Sequence, residues 1–467
     1  MSKRVNDLGR DPVGPLLFRL AVPAVTAQVV NALYNIVDRM YIGHMPEVGD
    51  LALTGLGVCF GIIMFVSALA ALAGMGGGSR AAIKMGENDQ EGADAILGGC
   101  TALLITISVV VTVLLFVFQE PLLYLVGASE NTIGYAKDYL SIYLWGTISV
   151  ELSLGLNNFI TTQGFATTSM LTVLIGAAAN IILDPIFIYA FGMGVKGAAL
   201  ATILSQTLSA VWVLVFLMGR RSRLHIRRRH LRLQSRVLLP VVAIGVSPFI
   251  MQSTESLVSI AFNTSLLKYG SDLYVGAMTI CTSVMQVFTL PFTGLAQGAQ
   301  PIVGYNYGSG QLDRVRRAFR LLFLSSVLYA VFMWGLALLF PGLFVALFNN
   351  KPELVEVAVS SLRVYLAGAV CMGVQYSCQQ TFVALGQARI SLFLALLRKV
   401  ILLIPLIYLL PRFLSDQVFA VLLAEPVADV CASVTTGIVF FTQFPRILSR
   451  REQALAGSVP SSVPEAR

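Results

Sequence analysis

Charged side chains are scarce: Asp, Glu, Lys and Arg together make up 12% of the 467 residues. Ordinary soluble domains carry roughly 25%, so a water-solvated globule is excluded. Histidine is almost missing. The three that occur, His44, His225 and His230, fall outside the long apolar runs, which excludes a histidine-based metal centre or proton relay within those runs. The six cysteines, Cys59, Cys100, Cys281, Cys371, Cys378 and Cys431, all lie in apolar segments without metal-ligand spacing. They read as small packing residues. No HExxH or GxSxG motif occurs, so the residues give no sign of an enzyme.

What is abundant is apolar surface. Hydrophobic residues are 56% of the chain and the mean hydropathy is +0.79. A helix needs about 20 apolar residues to cross a bilayer core, and twelve segments meet that length: 15–43, 52–78, 93–118, 135–163, 168–191, 196–219, 236–268, 273–300, 313–342, 356–385, 390–411 and 417–445. They are continuous and lack alternating polarity, which argues against strands. The first span follows a mixed-charge head with Lys3, Arg4 and Arg10 and is too long for a signal-peptide core, so none is expected.

Basic residues in the connections set the orientation. The link "GRRSRLHIRRRHLRLQSR" (219–236) is dominated by arginine; Arg314, Arg316, Arg317 and Arg320 follow the eighth span, and Arg446, Arg450 and Arg451 the twelfth. The links around 44–50, 119–132 and 349–355 are poor in Lys and Arg. Head, tail and even-numbered links are therefore expected in the cytoplasm, with the chain multi-pass in the cell membrane. The net charge of +8 then reports address and lipid contact rather than nucleic-acid binding.

A shift of 222 residues superposes the halves. It pairs Gly76 with Gly298, Gly86 with Gly308, Phe118 with Phe340, Tyr143 with Tyr365, Gly146 with Gly368, Gly164 with Gly386 and Ser169 with Ser391. Each repeat holds six spans, an even number, so both halves enter the membrane in the same sense, related by an axis along its normal. The expected fold is an all-α integral membrane protein of twelve helices in two six-helix lobes. The divisions are an N-terminal lobe 1–219, a basic cytoplasmic linker 220–235, a C-terminal lobe 236–446 and a tail 447–467, disordered over 452–467.

Acids inside membrane spans are costly and mark function. The candidates are Asp38, Asp184, Glu255, Glu425 and Asp429. Asp38 lies near the outer end of the first span. Asn180 and Asp184, four apart and on one helix face, lie in the outer third of the fifth, and Thr202 in the outer third of the sixth. The four reach a similar depth, and whether their helices adjoin decides whether they form a cation site. Pro185, directly after Asp184, leaves the Ile181 carbonyl without its usual donor; this frees a ligand, kinks the helix or ends it. In the second half, Arg398 and Lys399 can pair with Glu425 or Asp429, either as a structural ion pair or in the working site. The neutral polar and aromatic residues Gln28, Tyr34, Asn35, Asn157, Gln206, Gln252, Gln286, Gln375 and Tyr376 interrupt the spans. As a set with Arg398, Glu425 and Asp429 they suggest a wide cavity suited to lipophilic cations.

These residues resemble the multidrug and toxic compound extrusion (MATE) family, and within it the bacterial MepA-like group. The resemblance is carried by "VNALYNIVDRMYIG" (30–43), "GMGGGSRAAIKMG" (74–86), "GLNNFITTQG" (155–164), "NIILDPIFIY" (180–189), "GVKGAALATILSQ" (194–206), "QGAQPIVGYNYG" (297–308), "FVALGQARISL" (382–392) and "PVAD" (426–429). It implies an antiporter that exports amphipathic, often cationic drugs against an inward flow of H+ or Na+, as a monomer and with no cofactor. It also implies cation coupling through Asp38, Asn180, Asp184 and Thr202, with Na+ a candidate ligand, and through a seventh-span glutamate matching Glu255. Residues 361–386 of the tenth span hold no acid, unlike relatives with a second sodium site, and Gly61 stands where relatives often carry proline, so a bend in the second span is not assured. A lipid-linked oligosaccharide flippase is the rival in the same superfamily. A major facilitator transporter would carry a signature that loop 79–94 lacks.

Overall fold

The computed structural model describes residues 6–45, 48–348 and 351–457. Lys3, Arg4, parts of the 44–50 and 349–355 links, and tail residues 458–467 lie outside them. The described chain is helical from end to end, with no strand among those residues.

The first half comprises α1 (Val13–Gly43), α2 (Gly49–Gly86), α3 (Gln90–Val126), α4 (Ile133–Trp145), α5 (Thr147–Thr162), α6 (Ala166–Pro185) and α7 (Val195–Met218). The second comprises α8 (Ser235–Tyr269), α9 (Asp272–Gly308), α10 (Leu312–Leu339), α11 (Pro341–Ala346), α12 (Pro352–Tyr365), α13 (Met372–Ala384), α14 (Ala388–Leu396), α15 (Ile404–Leu409) and α16 (Gln417–Gly457). Among the described residues ten helical stretches are long and apolar enough to cross a membrane, and an eleventh if α12 and the 369–384 helix, bent by 48°, form one crossing. The expected fourth span, 135–163, is instead α4 and α5, 13 and 16 residues long, meeting at Gly146. Large apolar side chains such as Val113, Val117, Leu328 and Phe332 are exposed on the outer faces, as lipid requires and water would penalise.

The repeat is visible in the backbone. Gly164 and Gly386 both take positive φ, as do Asn88 and Gly310, another pair at the same shift. Gly146 and Gly368 both sit at helix breaks, and Tyr143 and Tyr365 both lie in the last turn of the helices before them. Between halves, α1 packs on α9 and α2 on α8, an exchange that a twofold operation demands. A side chain on Gly86 would strike the Tyr305 carbonyl and one on Gly308 the Ile83 carbonyl. These two collisions are also related by the 222-residue shift, so glycine at both positions lets the backbones touch across the axis.

That close approach lies at the end holding the N-terminus and the linker. Side-chain bonds between halves cluster there: Ser79 Oγ accepts from Gln300 at 2.7 Å, the Leu8 carbonyl accepts from Asn306 and Arg314, and Gln28 donates to Gln297 nearby. The linker is not a free strap. Gln163 Oε1 accepts from Ser222, Arg223 and Leu224, and Asp94 holds the His225 amide and Arg227. At the turn into α3, Asp89 caps the helix through the Gly92 amide, and that bond with Lys84 beside it holds its carboxyl below the usual range.

Residues 452–457, expected to be disordered, instead continue α16. Arg451, just before this extension, donates to Glu87 of the first half and to the Tyr307 and Gly308 carbonyls of the second. It therefore latches the linker end shut. Arg451→Ala is expected to raise the rate at which maleimide labels a cysteine placed at Ser79, under the closure; an unchanged rate would show that the latch bears no load.

Candidate functional site

In the first half, α1 and α6 pack side by side and α7 packs on α6. This brings together the four residues whose depth matched. Asp38 and Asp184 lie within hydrogen-bonding reach of each other, and Asn180 Nδ2 donates to Asp184 Oδ1 at 3.2 Å. Thr202 Oγ1 donates to the Ala198 carbonyl at 3.0 Å, and Tyr139, not singled out from the sequence, lies close to it. Asp38, Asn180 and Asp184 are buried.

Three oxygens here, Asp38 Oδ1, Asn180 Oδ1 and Asp184 Oδ2, have no hydrogen-bond donor among the described residues. Among the described residues no Lys or Arg pairs with either acid. Arg39, next in sequence to Asp38, is exposed and lies over the Phe60 ring at 4.9 Å. Two adjoining buried carboxyls cannot both stay charged without a counter-ion. The donor set of carboxylate, amide and hydroxyl oxygens fits a proton or a hard monovalent cation such as Na+.

Pro185 does not end the helix. α6 passes through it into a π-helical turn, Ile186–Ala190, closed by the Phe191 amide on the Ile186 carbonyl at 2.9 Å. The missing proline donor is absorbed by widening the helix, a device common at functional sites. By contrast α2 runs unbroken through Gly61.

Some of the polar residues line two separate cavities. A small cavity inside the first half is lined by Tyr34, Asn157, Asn180, Thr202 and Gln206, together with Asn31, Ser153 and others. Ser153 donates to Gln206, and Tyr34 lies beside Gln206 within electrostatic range of both acids. A second cavity, in the other half, is lined by Met251, Gln375, Tyr376, Gln379, Arg398 and Lys399 among others. Asn35, Gln252, Gln286, Glu425 and Asp429 line neither. Asn35 is bonded to its own helix at the Asn31 carbonyl, and Gln286 is exposed on α9.

The second-half acids come with their own cations. Arg398 Nε donates to Asp429 at 2.7 Å and its Nη2 to Glu425 at 3.1 Å; Lys399 bonds Glu255 and the Met251 carbonyl. Arg398, Lys399, Glu425 and Asp429 are buried, whereas Glu255 is exposed. Glu255 thus stands apart from the other coupling candidates, with an ammonium already on it. The sequence reading also missed Glu151, a buried acid on α5, although the rule that flagged the others applies to it.

The MatE family model matches the chain at residues 23–186 and again at 248–409. The chain belongs to the MatE family. The double match falls once on each half, as the repeat requires of a MatE protein. Among curated relatives, the multidrug export protein MepA of Staphylococcus haemolyticus (strain JCSC1435) is 24% identical over 91% of this chain and 92% of its own. MepA of Staphylococcus aureus (strain MRSA252) is 23% identical, covering 92% and 94%. Two solved structures share the fold at 22% identity. A MATE protein in complex with MaD3S has a TM-score of 0.88, covering 96% of this chain and all of its own. A multidrug resistance MATE family transporter of the MOP superfamily, in an outward-facing conformation, has a TM-score of 0.87, covering 97% and all of its own. This MatE chain is thus a multi-pass membrane transporter rather than an enzyme.

Proposed function

We propose that the chain is a cation-coupled exporter of amphipathic, cationic compounds, driven by H+ or Na+ through alternating access. It works without a cofactor, as a monomer in the cell membrane, with both termini and the 220–235 linker in the cytoplasm. The α4–α5 and α12–α13 pairs each serve as one crossing, completing twelve helices in two lobes, 1–219 and 236–446. The relatives named multidrug export protein support this reading.

One observation carries the coupling. Among the described residues the buried bases are Arg398 and Lys399, both in the second lobe, while Asp38 and Asp184 are buried in the first with no base paired to them. The second lobe pairs its acids with bases of its own; the first lobe's pair has none and takes a cation from solution. α1 links that cation to the conformational change. Its outer part carries Asp38, while Leu16, Leu17 and Leu20 pack into the second lobe's core, with Pro23 between. Loading the site alters α1, and α1 spans the lobe interface, so occupancy biases which end opens.

In an efflux-deficient bacterium expressing the protein, ethidium is expected to accumulate less than in cells with an empty vector. Collapsing the proton and sodium gradients with ionophores should abolish the difference. Export that persisted without either gradient would remove the coupling from the proposal.

A further inference from the structure

Glu151 takes no part in the site described above. Its relative exposure is 0%, and neither carboxyl oxygen has a hydrogen-bond donor among the described residues. One turn earlier on the same face of α5, the buried Thr147 hydroxyl also lacks a partner. The register of the surrounding helices is fixed by contacts. Gly155 of α5 lies against Gly74 of α2 and Leu104 of α3; Thr112 of α3 bonds the Leu144 carbonyl; Ser149 and Ser153 bond Thr207 and Gln206 of α7. Glu151 is therefore held one turn from Gly155, among α2, α3 and α7.

The stretches packed around it carry no base and no second acid. Residues 51–79 of α2 contribute Cys59 as their titratable side chain, residues 95–118 of α3 contribute Cys100, and residues 166–183 of α6 and 197–218 of α7 contribute none. Tyr143, in the last turn of α4, lies within electrostatic range of Glu151 and of Tyr34. From α9, Tyr305 reaches the same packed cluster. An isolated carboxylate in such surroundings is far too costly to persist and neutralises instead. A metal ion would need several hard oxygens, whereas this position offers one carboxylate and one hydroxyl. A proton needs the carboxylate alone.

We propose that Glu151 is a second, exchangeable proton-binding site of the N-terminal lobe, separate from Asp38 and Asp184. It holds its proton while α5 is packed against α2 and α3 as seen here. It exchanges the proton when the lobe rearranges and the carboxyl reaches the polar cavity lined by Ser153 and Asn157 of the same helix. The lobe then handles two cations by different chemistries: a pair of aspartates for H+ or Na+, and a lone glutamate for H+ only.

Infrared difference spectra of the purified full-length protein, recorded between acidic and alkaline buffers, test this directly. The wild type should show a titrating carbonyl band from a protonated carboxyl that disappears in Glu151→Gln and persists in the Asp38→Asn/Asp184→Asn double variant. Sodium should leave that band unmoved. Glu151→Asp, which keeps the carboxyl one methylene back, should shift the band and guards against misfolding of the amide variant. A spectrum unchanged by Glu151→Gln or Glu151→Asp overturns the proposal. So does a Glu151 band that stays constant from acid to alkali, which would make the group a permanently neutral packing residue. Because the double variant removes the aspartate pair, failure of the coupling assignment is read separately from failure of this one.

Discussion

Asp184→Asn is expected to eliminate gradient-driven drug export while leaving the protein folded. The substitution is nearly isosteric, retains an oxygen acceptor toward Asn180, and removes one of two carboxyls that adjoin in a buried site without a paired base. The remaining Asp38 has neither a partner with which to share a proton nor a second carboxylate to help hold Na+. Transport measured in vesicles under an imposed gradient should fall to the level of empty vesicles, and Asp38→Asn should do the same. Facilitated equilibration of substrate down its own gradient should survive to some degree, because the polar lining of Tyr34, Asn157 and Gln206 is untouched. Full coupled export by Asp184→Asn would remove these acids from the coupling mechanism.

Arg398→Met should produce the largest loss of stability. Arg398 bonds Asp429 and Glu425 at 2.7 and 3.1 Å in a buried setting, and one oxygen of each acid already lacks a donor. Deleting the guanidinium strands two buried carboxylates, and breaking a buried pair costs about 3–5 kcal/mol. The triple variant Arg398→Met/Glu425→Gln/Asp429→Asn removes the charges together and should recover most of that loss. Thermal unfolding in detergent, followed by size-exclusion recovery, reads both. If the single variant were as stable as the wild type, the cluster would not be the internal neutralisation of the second lobe.

Much of this was legible in the sequence because the membrane imposes few solutions. Long apolar runs become helices, buried acids mark themselves by their cost, and the constant 222-residue shift predicted which glycines and helix breaks would correspond. Depth along the spans placed Asp38, Asn180, Asp184 and Thr202 at one level, and the packing of α1, α6 and α7 made them neighbours. What the sequence did not show depends on rotation about helix axes and on local breaks. Gly146 divides the fourth span, Pro185 widens rather than ends α6, and Gln252 and Gln286 line neither of the two cavities. Whether Arg398 or Lys399 serves each acid was likewise a matter of side-chain direction: Arg398 takes Asp429 and Glu425, Lys399 takes Glu255.

The central claim is that the first lobe binds a cation from solution and uses it to drive export. Its most direct test is purified protein in liposomes, loaded with ethidium and exposed separately to a pH gradient and to a sodium gradient. The account predicts uphill ethidium movement under at least one of the two, lost in Asp184→Asn. Ethidium movement that follows its own gradient alone, indifferent to both cations in the wild type, would contradict it.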